Sequence, residues 1–279
     1  MKNFDSAEIE TLAKKIRRSI IETGYAAGKK SAHFGGSLSA VEILACLYGG
    51  LMDVDSENPA KVPRDIFILS KAHASLALYA ALAHKKFFPL DDLKTFELNE
   101  SELTGHPTMN LNRGIKLSGG SLGMGLSQAV GIALGYRKKN FSNKIFVLLG
   151  DGELDEGSNW EAAMSAAHFK LDNLLVIVDK NSVQADGTTE EIMNLGSVSK
   201  KFSAFDFEVR ECDGHNISEL CKNISELLDN QNGKPKILIA HTVKGKGVSF
   251  MENNSDWHHA ALNQKQYEQA IQELGAEVN

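Results

Sequence analysis

The chain has 279 residues, 42% hydrophobic and 24% charged, with a formal net charge of −6 at pH 7. These are ordinary globular values, and the length can bury a large core as one or at most two domains. An acidic balance without any basic block argues against nucleic acid or an anionic membrane as partner. The three cysteines, Cys46, Cys212 and Cys221, form no CxxC pair. Their odd number argues against a disulfide framework and fits a reducing, cytoplasmic setting. Residues 1–18 are polar and charged, without the apolar stretch of a signal peptide, and no apolar run approaches membrane-spanning length.

Ile9, Leu12, Ala13, Ile16 and Ile20 recur at helical spacing, which predicts a helix over 6–23 ended by Gly24. A Gly/Ser/His loop over 29–36 follows, and Ser37 opens an apolar helix reaching Tyr48. Residues 65–69 read as a short buried strand ending at Ser70-Lys71-Ala72-His73, and 74–83 as a helix. A short helix over 89–96 has Asp91 and Asp92 in its first turn, where the helix dipole favours acids. Residues 99–114 are irregular, and the glycine-rich 118–123 leads into a helix ending at Tyr136. Strands are expected over 145–149, 174–178, 207–212 and 236–242, and helices over 160–169, 216–228 and 264–274. No repeat or linker interrupts this alternation. It predicts one α/β domain with a mostly parallel sheet flanked by helices.

Two strand tips stand out. The apolar run 145–149 stops at Gly150-Asp151-Gly152, and the run 174–178 stops at Asp179-Lys180-Asn181. The helix between them makes a βαβ unit, so both tips emerge at one carboxyl edge, where open α/β sheets bind ligands. Asp151 offers a carboxylate and Asn181 an amide oxygen, hard donors that suit Mg²⁺ or Ca²⁺ beside phosphate oxygens. As plain turn residues both would be unremarked; their pairing on successive strand tips favours the metal.

Gly119-Gly120-Ser121-Leu122-Gly123-Met124-Gly125 precedes a helix and fits two readings equally: backbone N–H donors toward a polar group, or tight packing through small residues. It is neither a Walker loop nor a GxGxxG motif. Among nine histidines, His33, His73, His106, His258 and His259 sit in loops or at a strand end. A lone loop histidine is most often solvated, yet imidazole is also the natural proton shuttle. No His or Cys spacing supports zinc. The acids Glu153, Asp155, Glu156 and Glu161 read as a solvated helix start, with Glu156 as a candidate for a carboxylate network. Lys244 and Lys246, between glycines, read as a mobile basic loop.

Taken together these residues resemble transketolases, over about 24–262. Gly150-Asp151-Gly152 with Asn181 resembles the thiamine-diphosphate motif. His33-Phe34-Gly35-Gly36-Ser37-Leu38 is similar to the family's His-Pro-Gly loop, Ser70-Lys71-Ala72-His73 to its Ser-x-Gly-His segment, and Thr104-Gly105-His106-Pro107 matches directly. Gly119 to Gly125 is similar to its Gly-Pro-Leu-Gly-Gln-Gly turn, and Asp186-Gly187 to the Asp-Gly after the metal loop. Ala32, Ser121 and His259 depart from the pattern, standing where glycine, proline and glycine are usual.

The resemblance implies a thiamine-diphosphate-binding fold and these roles. Asp151, Asn181 and the main-chain carbonyl of Val183 would hold Mg²⁺. Gly152, Asn181 and His73 would contact the cofactor, Gly120, Ser121 and Leu122 would line its aminopyrimidine side, and Glu156 would join the carboxylate network between paired sites. His33, His106 and, in the late segment, His258 would face a sugar phosphate. A single-chain transketolase is more than twice as long. Residues 1–279 would form only the diphosphate-binding domain, with the pyrimidine-binding domain on a separate chain and two chains of each type in the assembly. The alternative is the alpha chain of a 2-oxo-acid dehydrogenase-like enzyme; a regulatory chain and a thiamine-independent Mg²⁺ enzyme are further rivals.

Overall fold

A computed structural model of the chain describes residues 5–275. Five strands form one sheet: β1 (Ile66–Leu69), β2 (Ile145–Gly150), β3 (Leu174–Lys180), β4 (Glu208–Asp213) and β5 (Lys236–His241). Their order is β1-β2-β3-β5-β4, and every neighbouring pair is parallel. The expected mostly parallel sheet is therefore parallel throughout. Its strands are short runs of Ile, Val, Leu and Phe because both faces are covered.

Period-2 alternation sorts these side chains into two cores. Phe67, Leu69, Phe146, Leu148, Leu175, Ile177 and Leu238 face one side. There they meet helices α1 (Ser6–Ala26), α3 (Val41–Cys46), α4 (Ser75–His84), α9 (Ile217–Asp229) and α10 (Gln264–Leu274). Short α2 (Phe34–Leu38) sits at the edge of this layer. Ile66, Ile68, Ile145, Val147, Leu149, Val176, Val178 and Ile239 face the other side. They pack on α5 (Met124–Lys138), α6 (Gly157–His168) and α8 (Val198–Ala204). One-turn α7 (Thr189–Ile192) lies between β3 and α8. No described helix is long and apolar enough to cross a membrane.

Helix caps explain several boundaries. Asp5 accepts from the Ala7 N–H at 2.9 Å and opens α1. Thr188 and Glu191 form a reciprocal capping box on α7, and Asn263 with Gln266 does the same on α10. Three details differ from the sequence reading. Gly24 does not end α1: the helix runs on to Ala26, and a Cβ at Gly24 would meet the Phe34 ring at 2.3 Å. That glycine is a packing notch rather than a stop. The segment expected as a loop to Gly36 turns helical at Phe34, and the apolar helix expected from Ser37 is broken between α2 and α3. Helices α7 and α8 have no counterpart in the sequence reading, because both are too short to show a helical period.

Leu148 lies fully buried on the central strand β2. Leu148→Ala is expected to cost about 2–5 kcal/mol, through lost burial plus the cavity left behind. Urea unfolding followed by circular dichroism measures it, and a loss under about 1 kcal/mol would contradict the packing described.

Candidate active site

The parallel register aligns Gly150 with Asp179, so the tips of β2 and β3 end level. One residue on, the Asp151 N–H donates to the Asp179 carbonyl at 3.2 Å. The Asp151 carboxylate accepts from the Gly152 N–H at 2.8 Å and from the Ser182 N–H. Ser182 adopts a left-handed conformation, φ 64°, that turns the chain back toward Asp151. Asn181 Oδ1 accepts from the Val183 N–H at 3.1 Å, and its Nδ2 donates to Asp179 Oδ1 at 3.3 Å. The amide is thereby oriented, oxygen on the Val183 side.

Burial, and then the charge of Asp179, push the Asp151 carboxyl up to about 6. A divalent cation would relieve that penalty. Among the described residues no cluster of three or more His, Cys, Asp or Glu side chains could hold a metal. The donors gathered here are instead a carboxylate, an amide oxygen and a main-chain carbonyl. Each retains a free lone pair, a hard oxygen set that fits Mg²⁺ or Ca²⁺.

Behind this set lies a buried ion pair. Asp179 is fully buried and accepts from Lys71 Nζ, from Ser39 Oγ at 2.6 Å and from Thr242 Oγ1. Burial alone would raise its pKa; the Lys71 charge and these donors outweigh it and hold the carboxyl below the usual range. Lys244 is also buried, contrary to the mobile basic loop read from the sequence. Its ammonium donates to the carbonyls of Val183 at 3.0 Å and Gln184 at 2.8 Å, and lies 3.1 Å from His258 Nδ1. Burial and the nearby Lys71 charge bring its pKa down to about 8.

A second buried carboxylate, Glu153, ties the site's other side. It accepts from Ser70 Oγ, from the Gly123 N–H at 2.9 Å and from the Gly150 N–H at 3.0 Å. Burial raises its pKa despite these donors. The glycine turn thus serves both readings left open. Gly125 packs so closely that a Cβ would meet Ser70 at 2.4 Å, while Gly119, Gly120, Ser121 and Leu122 are exposed along the rim. Glu156, the acid singled out from the sequence, is exposed at the N-cap of α6. The acid in the local hydrogen-bond network is Glu153.

The histidines converge. Main-chain hydrogen bonds between Ala32 and Ala260, 2.8 and 3.0 Å, join the loops bearing His33 and His258. The His33 ring centre lies 5.6 Å from His73, 5.4 Å from His106, 5.4 Å from His258 and 4.3 Å from His259. Gly36 makes room for His73, since a Cβ there would meet His73 Nε2 at 2.8 Å. Of the two late histidines, His258 faces His73 at 5.1 Å and Lys244, whereas His259 is exposed and hydrogen-bonds Ser31. Burial first, then neighbouring positive groups, lower His33 to about 3 and His258 to about 4, and hold His73 well below its ordinary value. These three rings are neutral at pH 7. Each offers one N–H donor and one acceptor to a hydroxyl.

The structure therefore brings Asp151, Asn181, Val183, Gly152, His33, His73, His106 and His258 to the sheet's carboxyl edge, with Gly120, Ser121 and Leu122 on the rim. Sequence reasoning missed Lys71, Asp179, Ser39, Thr242, Glu153 and Lys244 as site members. A signal existed for the first two: a lysine and an aspartate directly at the ends of apolar strands, where solvated charge is not expected. A pocket of about 440 Å³ opens beside Asp151 and Ser182, and one of about 250 Å³ beside Ser70 and Gly119. A larger cleft, about 680 Å³, lies elsewhere, between α1, α10 and the end of α4. It shares none of these residues, so its size does not mark the chemistry.

Residues 10–279 match the family described as transketolase, thiamine diphosphate binding domain. The chain belongs to the transketolase family. It is 42% identical over 272 residues to one of the separately encoded subunits of the apulose-4-phosphate transketolase of Actinobacillus succinogenes, covering 98% of both chains. It is 42% identical over 245 residues to the 6-deoxy-6-sulfo-D-fructose transketolase subunit SqwG of a Clostridium species, covering 88% of this chain and 89% of that one. Human transketolase is 36% identical over 273 residues, but the match spans only 42% of its length. The crystal structure of Campylobacter jejuni transketolase superposes with a TM-score of 0.89 at 30% identity, covering 97% of this chain and 43% of that one. The fold is thus that of the family's diphosphate-binding portion, at the length of its separately encoded subunits.

The lowered histidines carry a pH signature. Unfolded, they titrate near the ordinary value of about 6.5. Below about 6.5 the unfolded chain binds protons that folded His33 and His258 refuse until about 3 and about 4. Their contribution is fully present above about pH 6.5 and is lost as pH falls through that window. Partial exposure of the rings reduces its size through solvent screening. The melting temperature, followed from about pH 8 to about pH 4, should fall less steeply in His33→Asn than in the native chain. Equal slopes would remove His33 as a cause.

Proposed function

We propose that this chain is the diphosphate-binding subunit of a two-chain transketolase. With thiamine diphosphate and Mg²⁺ it moves a two-carbon ketol unit from a ketose phosphate to an aldose phosphate. One observation carries the reading: an oxygen-donor set on adjoining strand tips lies at the same sheet edge as a cluster of neutral histidines. The match to a separately encoded subunit covers nearly all of that relative, whereas the match to a one-chain relative covers less than half of it. That difference supports the two-chain form.

Bound thiamine diphosphate supplies the carbon nucleophile that accepts and releases the two-carbon unit. The chain supplies placement and electrostatics. Asp151, Asn181 and the Val183 carbonyl hold the Mg²⁺, a site that Ca²⁺ also fits, and Asp179 keeps the Asn181 oxygen turned toward it. Gly152, His73 and the rim residues Gly120, Ser121 and Leu122 contact the cofactor. His33, His106 and His258 donate to sugar hydroxyls and to the negative charge that develops on oxygen, and carry protons between them. Glu156 joins the carboxylate network between paired sites.

The pyrimidine-binding domain comes from a partner subunit, in a cytoplasmic assembly of two chains of each type. An outer face of α5 and α6 suits such contact. Met124, Met164 and Phe169 are exposed there, and Gly131, Gly135 and Gly157 leave backbone open. The named relatives act on different sugars, so donor and acceptor are set by pocket detail that the partner helps to build.

The test is an assay with xylulose 5-phosphate and ribose 5-phosphate, Mg²⁺ and thiamine diphosphate, on the chain alone and mixed with its partner. Activity is expected only in the mixture, and Asp151→Ala should lower it by at least about 100-fold. Full activity of the isolated chain would refute the two-chain reading. Turnover of a 2-oxo acid with a lipoyl acceptor would point to the dehydrogenase-like alternative.

A further inference from the structure

One buried carboxylate outside the site holds the turn that carries Lys244 from both ends. Glu42, on α3, accepts at Oε1 from Arg17 at 2.6 Å and at Oε2 from His215 Nδ1 at 2.8 Å. Burial alone would raise its pKa, but the His215 hydrogen bond and the Arg17 charge outweigh it and hold the carboxyl below the usual range. Each partner then reaches the turn. His215 Nε2 accepts from the Val243 N–H at 2.8 Å, and Arg17 Nε donates to the Lys246 carbonyl at 3.0 Å.

These bonds decide a tautomer. A main-chain N–H can only donate, so His215 Nε2 carries the lone pair and the proton sits on Nδ1, facing Glu42. The carboxylate therefore sets the ring orientation, and the ring sets the Val243 amide. Between the two anchors the turn is tightly specified. Gly245 has φ 78°, and a Cβ there would meet the Met251 carbonyl oxygen at 2.2 Å. The Gly245 N–H donates to the Gly35 carbonyl at 3.0 Å, beside the His33 loop. Lys244 leaves this turn to place its ammonium on the Val183 and Gln184 carbonyls.

We propose that Glu42 and His215 are positioning residues of the active site. They fix the 243–247 turn and so hold the Lys244 ammonium at the main-chain oxygens of the metal loop. Neither residue lies among the groups that face cofactor or sugar. Both act through the backbone of the turn. Losing the Nε2 acceptor leaves the Val243 N–H without its partner and frees the turn to shift. A misplacement of about 1 Å at a positioned charge is enough to matter.

This inference rests on the cofactor reading above. Calorimetry measures binding of thiamine diphosphate with Mg²⁺ to the two-subunit enzyme in four forms: native, His215→Phe, Lys244→Met and the double variant. We expect His215→Phe to weaken binding about tenfold in the native background and less than about twofold beside Lys244→Met. His215→Gln, whose Oε1 reaches the acceptor position of Nε2, should recover most of the loss. Equal factors in both backgrounds would overturn the proposal. So would unchanged affinity in a His215→Phe protein whose circular dichroism is native. Where His215→Phe does not fold, Glu42→Gln, of similar volume, takes its place in the cycle under the same criteria. A native enzyme that binds no cofactor would remove the functional reading and this inference together. Binding with additive losses would remove this inference alone.

Discussion

The site depends on one carboxylate that cannot be left unpaired. Asp179 sits fully buried near the end of the third strand, at the edge where ligand chemistry begins. An isolated ionised group there would cost several kcal/mol, so the surroundings are arranged to satisfy it. Lys71 reaches it from the end of β1, Thr242 from the end of β5 and Ser39 from the turn after α2. Separate segments of the chain are thereby tied to one atom group. Removing either partner of the ion pair would strand a buried charge, which is worse than never having built the pair.

That constraint propagates outward. Asp179 orients Asn181 through Nδ2 and adds its negative charge to the environment of Asp151. Asp151 is held in an environment that disfavours its anion until a cation arrives. Lys71 and Lys244 bring positive charge to the same edge, and this charge with burial keeps His73 and His258 neutral. Cation site and neutral histidine cluster are two outcomes of one arrangement of buried charge. Glu153 plays the parallel part on the other flank, where it satisfies the main-chain donors of two loops with a single side chain.

Much of this was legible in the chain. The strand runs, the βαβ unit, the parallel sheet and the common edge shared by Asp151 and Asn181 follow from hydrophobic period and the rules of crossover connection. Helix α9 and strand β5 lie within a residue or two of where the pattern puts them. Gly24 misled because glycine is both a helix terminator and a packing notch, and only the Phe34 ring above it tells which. Lys244 misled because glycines around a lysine read as mobile, whereas here they let the backbone turn tightly enough to bury its ammonium.

The sequence by itself determined the fold class, the sheet edge and the residue types that can hold a metal-bound diphosphate. These depend on local period and on strand tips, which are properties of neighbours along the chain. Tertiary structure alone decided which histidines meet, which acid is buried and which lysine faces which carbonyl. His33 and His258 are brought together by two hydrogen bonds between residues 32 and 260, and Glu153 rather than Glu156 turns inward. Burial and charge pairing act between segments distant in sequence, so protonation state and position at the site are settled only when those segments pack.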